Sequence, residues 1–166
     1  MRHTLIRIVP LFAAALVFAP FAGAADGEPA EPSDVVIAFN EAMRQGDAVG
    51  LTKYLADGGV QFTIKSPHAG FEPDQLTSAI VPYWQMVAPV VAGSTSMYER
   101  KVEVLDERAM GNIATVWVQI DTRRQLKGKE DIASATANHV YLMILTPDGW
   151  KIAGIADNRA IDSITG

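Results

Sequence analysis

HVYLMILTPDGWKIAGIADN, running from His139 to Asn158, decides the reading of this chain. It consists of two apolar stretches around Pro147-Asp148-Gly149, a tripeptide with the turn chemistry that closes a hairpin. Two long paired strands are therefore predicted, over 132–146 and 150–158. Moving towards the N-terminus, Ala114, Val116, Val118 and Ile120 alternate with Thr115, Trp117, Gln119 and Asp121, which predicts a strand over 113–125 with one apolar face. The opposite face carries Trp117 and is expected to be partly covered. A further strand is predicted over 98–108, where Val102 and Val104 alternate with charges. Gly111-Asn112 and Lys127-Gly128-Lys129 supply the intervening turns.

Before residue 97 the period changes. Ser33 is placed to cap a helix whose Val36, Phe39 and Met43 recur at helical spacing and which Gly46 ends. Asp47 can cap a second helix carrying Leu51, Tyr54 and Leu55, stopped by Gly58-Gly59. Val60, Phe62 and Ile64 then alternate with Gln61, Thr63 and Lys65 as in a half-buried strand, closed by Pro67. Leu76, Ala79, Ile80, Tyr83, Trp84 and Val87 trace a helical stripe between Pro73 and Val87 that Pro82 should kink or shorten, and 93–96 reads as a loop. This order predicts an α+β domain in which two or three helices cap a strongly curved antiparallel sheet. Such a cone cannot fill its own concave side, so an apolar pocket with one open mouth is expected.

Residues 1–24 carry Arg2, His3 and Arg7, an apolar run from Ile8 to Phe21, and Ala22-Gly23-Ala24, the pattern of a cleaved export signal. Pro10 and Pro20 bracket a run shorter than the roughly 20 residues of a spanning helix, so periplasmic or secreted export is expected rather than anchoring. Residues 25–33 read as an exposed leader, 34–160 as one domain and 161–166 as a tail. The chain has no cysteine, which excludes a disulfide framework. Cleavage after Ala24 removes Arg2 and Arg7 and leaves 12 basic residues against 19 acids, a charge of about −7. That balance argues against nucleic acid as a partner, because such binding depends on clustered Lys and Arg.

The run DVVIAFNEAMRQGDAVGLTKYLADGGVQF resembles the opening of the nuclear transport factor 2-like superfamily, and HVYLMILTPDGWKIAGIADN is similar to that superfamily's final hairpin. The resemblance spans about residues 34 to 160 and includes SnoaL-like and ketosteroid-isomerase-like members, and it implies a cystatin-like cone. It does not imply one activity, since the superfamily holds enzymes, ligand binders and association domains. The steroid-isomerase residues are not retained. Phe39 stands where that resemblance expects a tyrosine, Asn138 before His139 where it expects a carboxylic acid, and 63–66 contains no acid to move a proton.

The candidate chemistry follows from the strand faces. With Asn138 towards the pocket, Val140 and Leu142 point there too, with Ile155, Asp157 and Arg159 beside them. Asp157 is then the candidate acid or base, with Asn138 or the loop residue His68 as its partner, although an Asp157–Arg159 surface pair accounts for the same residues. Phe39, Tyr54, Phe62, Tyr83, Trp84, Val116, Val140 and Arg159 are candidate ligand contacts, and the aromatics among them equally fit a core. Trp117, Gln119, His139 and Tyr141 are assigned to the convex face, through which relatives in the superfamily often dimerise. A one-residue change of register exchanges Asn138 and His139 between the faces. No cofactor motif, nucleophile elbow or metal-ligand spacing is present. The leading expectation is an exported domain that binds a small apolar or aromatic ligand. An isomerase, dehydratase or lyase built on Asp157, and a homodimerising association module, are the alternatives.

Overall fold

The computed structural model describes residues 31–65 and 75–159. The predicted export signal 1–24, most of the predicted leader, His68 and the predicted tail 161–166 lie outside the described residues. The described chain forms α1 (Pro32–Gln45), α2 (Ala48–Thr52), β1 (Leu55–Lys65), β2 (Gln75–Thr77), α3 (Ile80–Ser94), β3 (Thr95–Met110), β4 (Ile113–Leu126), β5 (Ile132–Thr146) and β6 (Gly149–Arg159). The strands make one curved sheet in the order β2-β1-β6-β5-β4-β3. The α+β class, helices against a curved sheet, is as predicted. All neighbouring strands are antiparallel except β1, which runs parallel to β6, so the sheet is mixed rather than wholly antiparallel.

Local chemistry accounts for the element ends. Pro32 occupies the first turn of α1, where its missing N–H has no partner to lose. The expected Ser33 cap is replaced from outside the helix: Ser33 lies within it and donates its backbone N–H to Glu107 Oε2 on β3 at 2.9 Å. Gly46 ends α1 in the left-handed conformation at φ 70°. Asp47 caps α2 as predicted, accepting from Gly50 N at 2.8 Å.

Two predicted helices have different bounds. The second stops at Thr52 rather than Gly58, because Leu55 already pairs with Ile152 and Tyr54 O accepts from Ile152 N at 2.7 Å. Gly58-Gly59 lies inside β1 at a register shift between Leu55 and Val60. A Cβ on Gly59 would stand 2.5 Å from Ile80 Cδ1, so the absent side chain lets the start of α3 press onto the strand. The third helix begins at Ile80 and places Pro82 in its first turn, where it neither kinks nor breaks the helix. Leu76 leaves the helical stripe for β2, opposite Phe62, and the predicted loop at 93–96 is the direct passage from α3 to β3.

The core follows the predicted stripes on α1 and β4: Val36, Phe39 and Met43 pack with Ala114, Val116, Val118 and Ile120. Register carries this inward face across the sheet. Val118 stands opposite His139, and Val116 opposite Tyr141. His139 and Tyr141 are buried and face the helices, whereas Asn138, Val140 and Leu142 face outward, the reverse of the assignment from sequence. β1 is reversed as well: Gln61 and Thr63 are buried and Phe62 is exposed.

A β-bulge in β6 governs the final hairpin. Thr146 pairs with Gly149 and Met143 with Ile152, but beyond this point Leu142 pairs with Gly154 and His139 with Asp157. Ala153 is the extra residue. It lets Ile152 and Ile155, three apart, both point into the core, and it brings Asp157 to the inner face.

Candidate functional site

The long strands β3, β4 and β5 outrun the helices and leave a partly open cavity of about 550 Å³ on the concave face. α3 contributes Tyr83, Trp84, Val87 and Val91 to its wall, and the sheet contributes Tyr98, Arg100, Ile120, Thr122, Arg124 and His139, with Asp157 from β6. Along β5 the inward positions leading to His139 are Ala133, Ala135 and Ala137. Three methyl groups where larger residues would fill the hollow account for much of the space.

Aromatic packing fixes the helical wall. The Trp84 ring meets Phe39 edge to face at a centroid distance of 5.2 Å and Tyr83 at 5.5 Å. Trp84 is buried, and its indole N–H has no hydrogen-bond partner among the described residues. It is therefore a donor at the cavity wall without an acceptor.

The polar side is built from two groups. In the first, His139 and Asp157 are direct cross-strand partners, a relation that brings Cβ atoms to about 5 Å. Both are buried, and Gln61 Nε2 donates to Asp157 Oδ2 at 3.0 Å. Thr63, also buried, is the register partner of Asp157 on β1. In the second, Asn40 Nδ2 donates to Val36 O at 2.7 Å and to the Tyr141 hydroxyl at 3.2 Å, while Asn40 Oδ1 accepts from Arg100 Nε at 2.7 Å. Arg100 Nη1 donates to the Tyr98 hydroxyl at 3.3 Å. The His139 ring stacks on Tyr141 at 6.2 Å and links the two groups. Burial pushes the Tyr141 phenol above its ordinary pKa, opposed by the nearby Arg100 charge and by its hydrogen bonds. Tyr141 is thus a neutral hydroxyl at physiological pH.

Asp157, Tyr83 and Trp84 are the predicted site residues that line the cavity. Phe39 lies behind Trp84 in the core, Val116 is sealed in the core and Tyr54 packs half-buried against it. Asn138, Phe62 and Val140 are on the outward face, away from Asp157. Arg159 ends β6 with its side chain outside the described residues, as is His68. Of the four residues assigned to the convex face, Trp117 and Gln119 are there, while His139 and Tyr141 belong to the site.

Sequence reasoning missed Asn40, Gln61, Arg100 and Arg124. A signal existed for two of them. Asn40 interrupts the apolar stripe of α1 four residues after Val36, and Arg100 shares the inward face with Val102. A polar residue on an apolar face marks a buried bond or a site. Among the described residues no three His, Asp or Glu side chains gather as a metal site, and no helix is long and apolar enough to cross a membrane.

No family model and no curated protein sequence matches the chain. Solved structures do. A ketosteroid isomerase-like protein from Erwinia carotovora atroseptica superposes with a TM-score of 0.60 at 14% identity, covering 78% of this chain and 94% of that one. A candidate dehydratase of the NTF2-like family from Streptomyces avermitilis gives 0.56 at 19% identity, covering 76% and 91%. A domain of unknown function with a cystatin-like fold from Nostoc punctiforme gives 0.55 at 18%, covering 76% and 74%. At these identities the likeness is one of architecture: the chain has the nuclear transport factor 2-like fold.

Proposed function

We propose that the protein is an exported domain that binds a small, largely apolar or aromatic molecule in the cavity between α3 and the sheet. One observation carries this reading. The concave face is lined by Ala133, Ala135 and Ala137 opposite an aromatic wall of Tyr83 and Trp84, so the space comes from the residues themselves. The polar lining falls in two groups, His139 with Asp157 and Arg100 with Arg124, separated by Ile120 and Ala137, as in a pocket that orients what it holds. Export is supported by the signal pattern of residues 1–24. The test is a native mass spectrum of protein recovered after export from the full chain. A mature N-terminus at Ala25 and a reproducible bound mass, lost in Ala137→Phe, are expected. Retention of residues 1–24 would overturn export. Apo protein alone, with no affinity for any small aromatic compound, would overturn binding.

A second reading, acid–base chemistry on the bound molecule, is favoured by the His139–Asp157 pair. A carboxylate beside an imidazole orients the ring and stabilises its protonated form, the arrangement a proton-transfer site needs. Here His139, rather than Asn138, stands opposite Asp157, and His68 lies outside the described residues. The test is deuterium uptake from heavy water at carbon next to the carbonyl of bound ketones and acids. Uptake catalysed by the wild type and abolished in both Asp157→Asn and His139→Gln supports the reading, and equal uptake in all three proteins removes it.

The outward sheet face is proposed to pair with a second copy of the chain. Phe62, Trp117 and Leu142 are each more than two-fifths exposed there, and register sets Phe62 and Trp117 in one row with two strands, at Ala156 and Val140, between them. A monomer at high concentration would exclude this.

A further inference from the structure

The charges on the cavity wall point to the chemical class of the ligand, an inference that rests on the binding reading above. The whole chain is acidic, with a net charge of −5. The cavity has the opposite balance. Its charged lining consists of Arg100, Arg124 and Asp157, and the Asp157 carboxylate already accepts a hydrogen bond from Gln61.

The neighbouring carboxylates Glu99 and Glu107 are not part of the cavity lining. Glu99 faces outward, where it takes Arg123 Nη1 at 3.0 Å, and Glu107 accepts the Ser33 N–H at the start of α1. Register places the arginines together: Arg100 pairs with Thr122 on β4, and Arg124 is the next inward residue along that strand. They are diagonal neighbours on adjacent strands, a separation of about 7–8 Å that one small anion can span with two long side chains.

Arg100 is held ready. Asn40 Oδ1 accepts from its Nε and the Tyr98 hydroxyl from its Nη1, and Asn40 is itself fixed by Val36 O and Tyr141. A guanidinium has five N–H groups in a rigid plane, so two bonds position the fork and leave Nη2 for a further acceptor. This explains why a buried asparagine interrupts the apolar stripe of α1: it sets the angle of a charge one layer away. Past the arginines the wall turns apolar, with Ile120, Val87 and Trp84.

We propose that the cavity selects an organic acid, with the carboxylate held by Arg100 and Arg124 and an apolar or aromatic body lying against Trp84. The two-pronged geometry of guanidinium suits a carboxylate, whereas an uncharged ligand accepts from the two arginines without an opposite charge or a second carboxylate oxygen to match the fork.

The experiment uses charge-matched pairs that share a shape. 1-Naphthylacetate with 1-naphthylacetamide, and 4-phenylbutanoate with 4-phenylbutanamide, are titrated into the mature protein by calorimetry. The acid of each pair is expected to bind about tenfold tighter than its amide, the scale of one charge-assisted hydrogen bond. Arg124→Gln, at an exposed position, and Arg100→Gln should each reduce that preference to about threefold or less, with the acid losing more affinity than its amide, since both remove charge and spare the apolar wall. Arg100→Lys should recover part of it. Equal binding of acid and amide would overturn the acid preference and leave the binding reading intact. No binding by any of the four compounds would overturn both.

Discussion

His139 and Asp157 face each other across β5 and β6 only because Ala153 is an extra residue in β6. A hairpin continued in the register of Thr146 and Gly149 would set Asp157 opposite Asn138, on the outward face. The bulge therefore converts a surface carboxylate into a site residue. Deleting Ala153 should turn Ile155 and Asp157 outward and lower stability by about 3 kcal/mol or more, given the burial lost by one isoleucine and the strain of repacking. Urea denaturation checks this, with Ala153→Val as the control that keeps the bulge.

Asn40 joins three elements, since it binds Val36 O on its own helix, Tyr141 on β5 and Arg100 on β3. Asn40→Ala is expected to destabilise the fold by about 2–3 kcal/mol, because it strands two partners in or near the core. Tyr141→Phe should cost about 1 kcal/mol, and the double variant should cost less than the sum. A double-mutant cycle measured by chemical denaturation gives the coupling directly, and strict additivity would show that the bonds act separately.

Burial raises the Tyr141 phenol above its ordinary pKa of 10.0. The folded state then holds a proton that the unfolded chain has released, so the stabilising contribution is full below about pH 10 and is lost as pH rises through the higher folded value. The wild type should lose stability more steeply than Tyr141→Phe above about pH 10. Parallel slopes in denaturation between pH 8 and 11 would contradict this.

Ala137 borders empty space, so a larger side chain there has room. Ala137→Phe should change stability by no more than about 1 kcal/mol, below the usual cost of overpacking a filled core, and should abolish binding in the cavity. Calorimetric titration together with thermal melting separates the two effects.

Trp117 lies half-exposed on the outward face. Trp117→Glu should shift the proposed dimer to monomer at micromolar concentration with a stability change within about 0.5 kcal/mol per chain once dilution has dissociated both proteins. Light scattering coupled to size exclusion measures the mass.

The sheet was legible in sequence because β4 alternates cleanly and the turns at Gly111-Asn112, Lys127-Gly128 and Pro147-Asp148 are chemically explicit. α1 was legible for the same reason: its apolar stripe is periodic and its terminator is a glycine. The faces of β5 were not. Val140, Leu142 and Ile144 are as apolar as Tyr141 and Met143, so a period of two does not tell one face from the other there. The β4 stripe could have fixed them through the register, but in β6 the bulge reverses parity without any proline or polar residue to announce it. The first strand failed for a related reason, since Phe62 faces outward while Gln61 and Thr63 face in. There Gln61 bonds Asp157 and Thr63 stands beside it in register, so a buried polar group has overruled the hydrophobic pattern. Arg100 escaped because its role depends on Asn40, sixty positions earlier in the chain.

β1 runs parallel to β6, and the bond from Gln61 to Asp157 closes a loop of 96 residues. A chain made from its N-terminus therefore holds its first strand without a neighbour on that side until the last strand has emerged. Three successive hairpin-type pairings, β3 to β6, can assemble locally, but β1 must then return to them across most of the sequence, a slow closure for entropic reasons. The molecule should complete itself only once β6 has been made, with β1 and its short partner β2 docking last. Passage through a membrane before that moment would meet an unfinished and still threadable polypeptide.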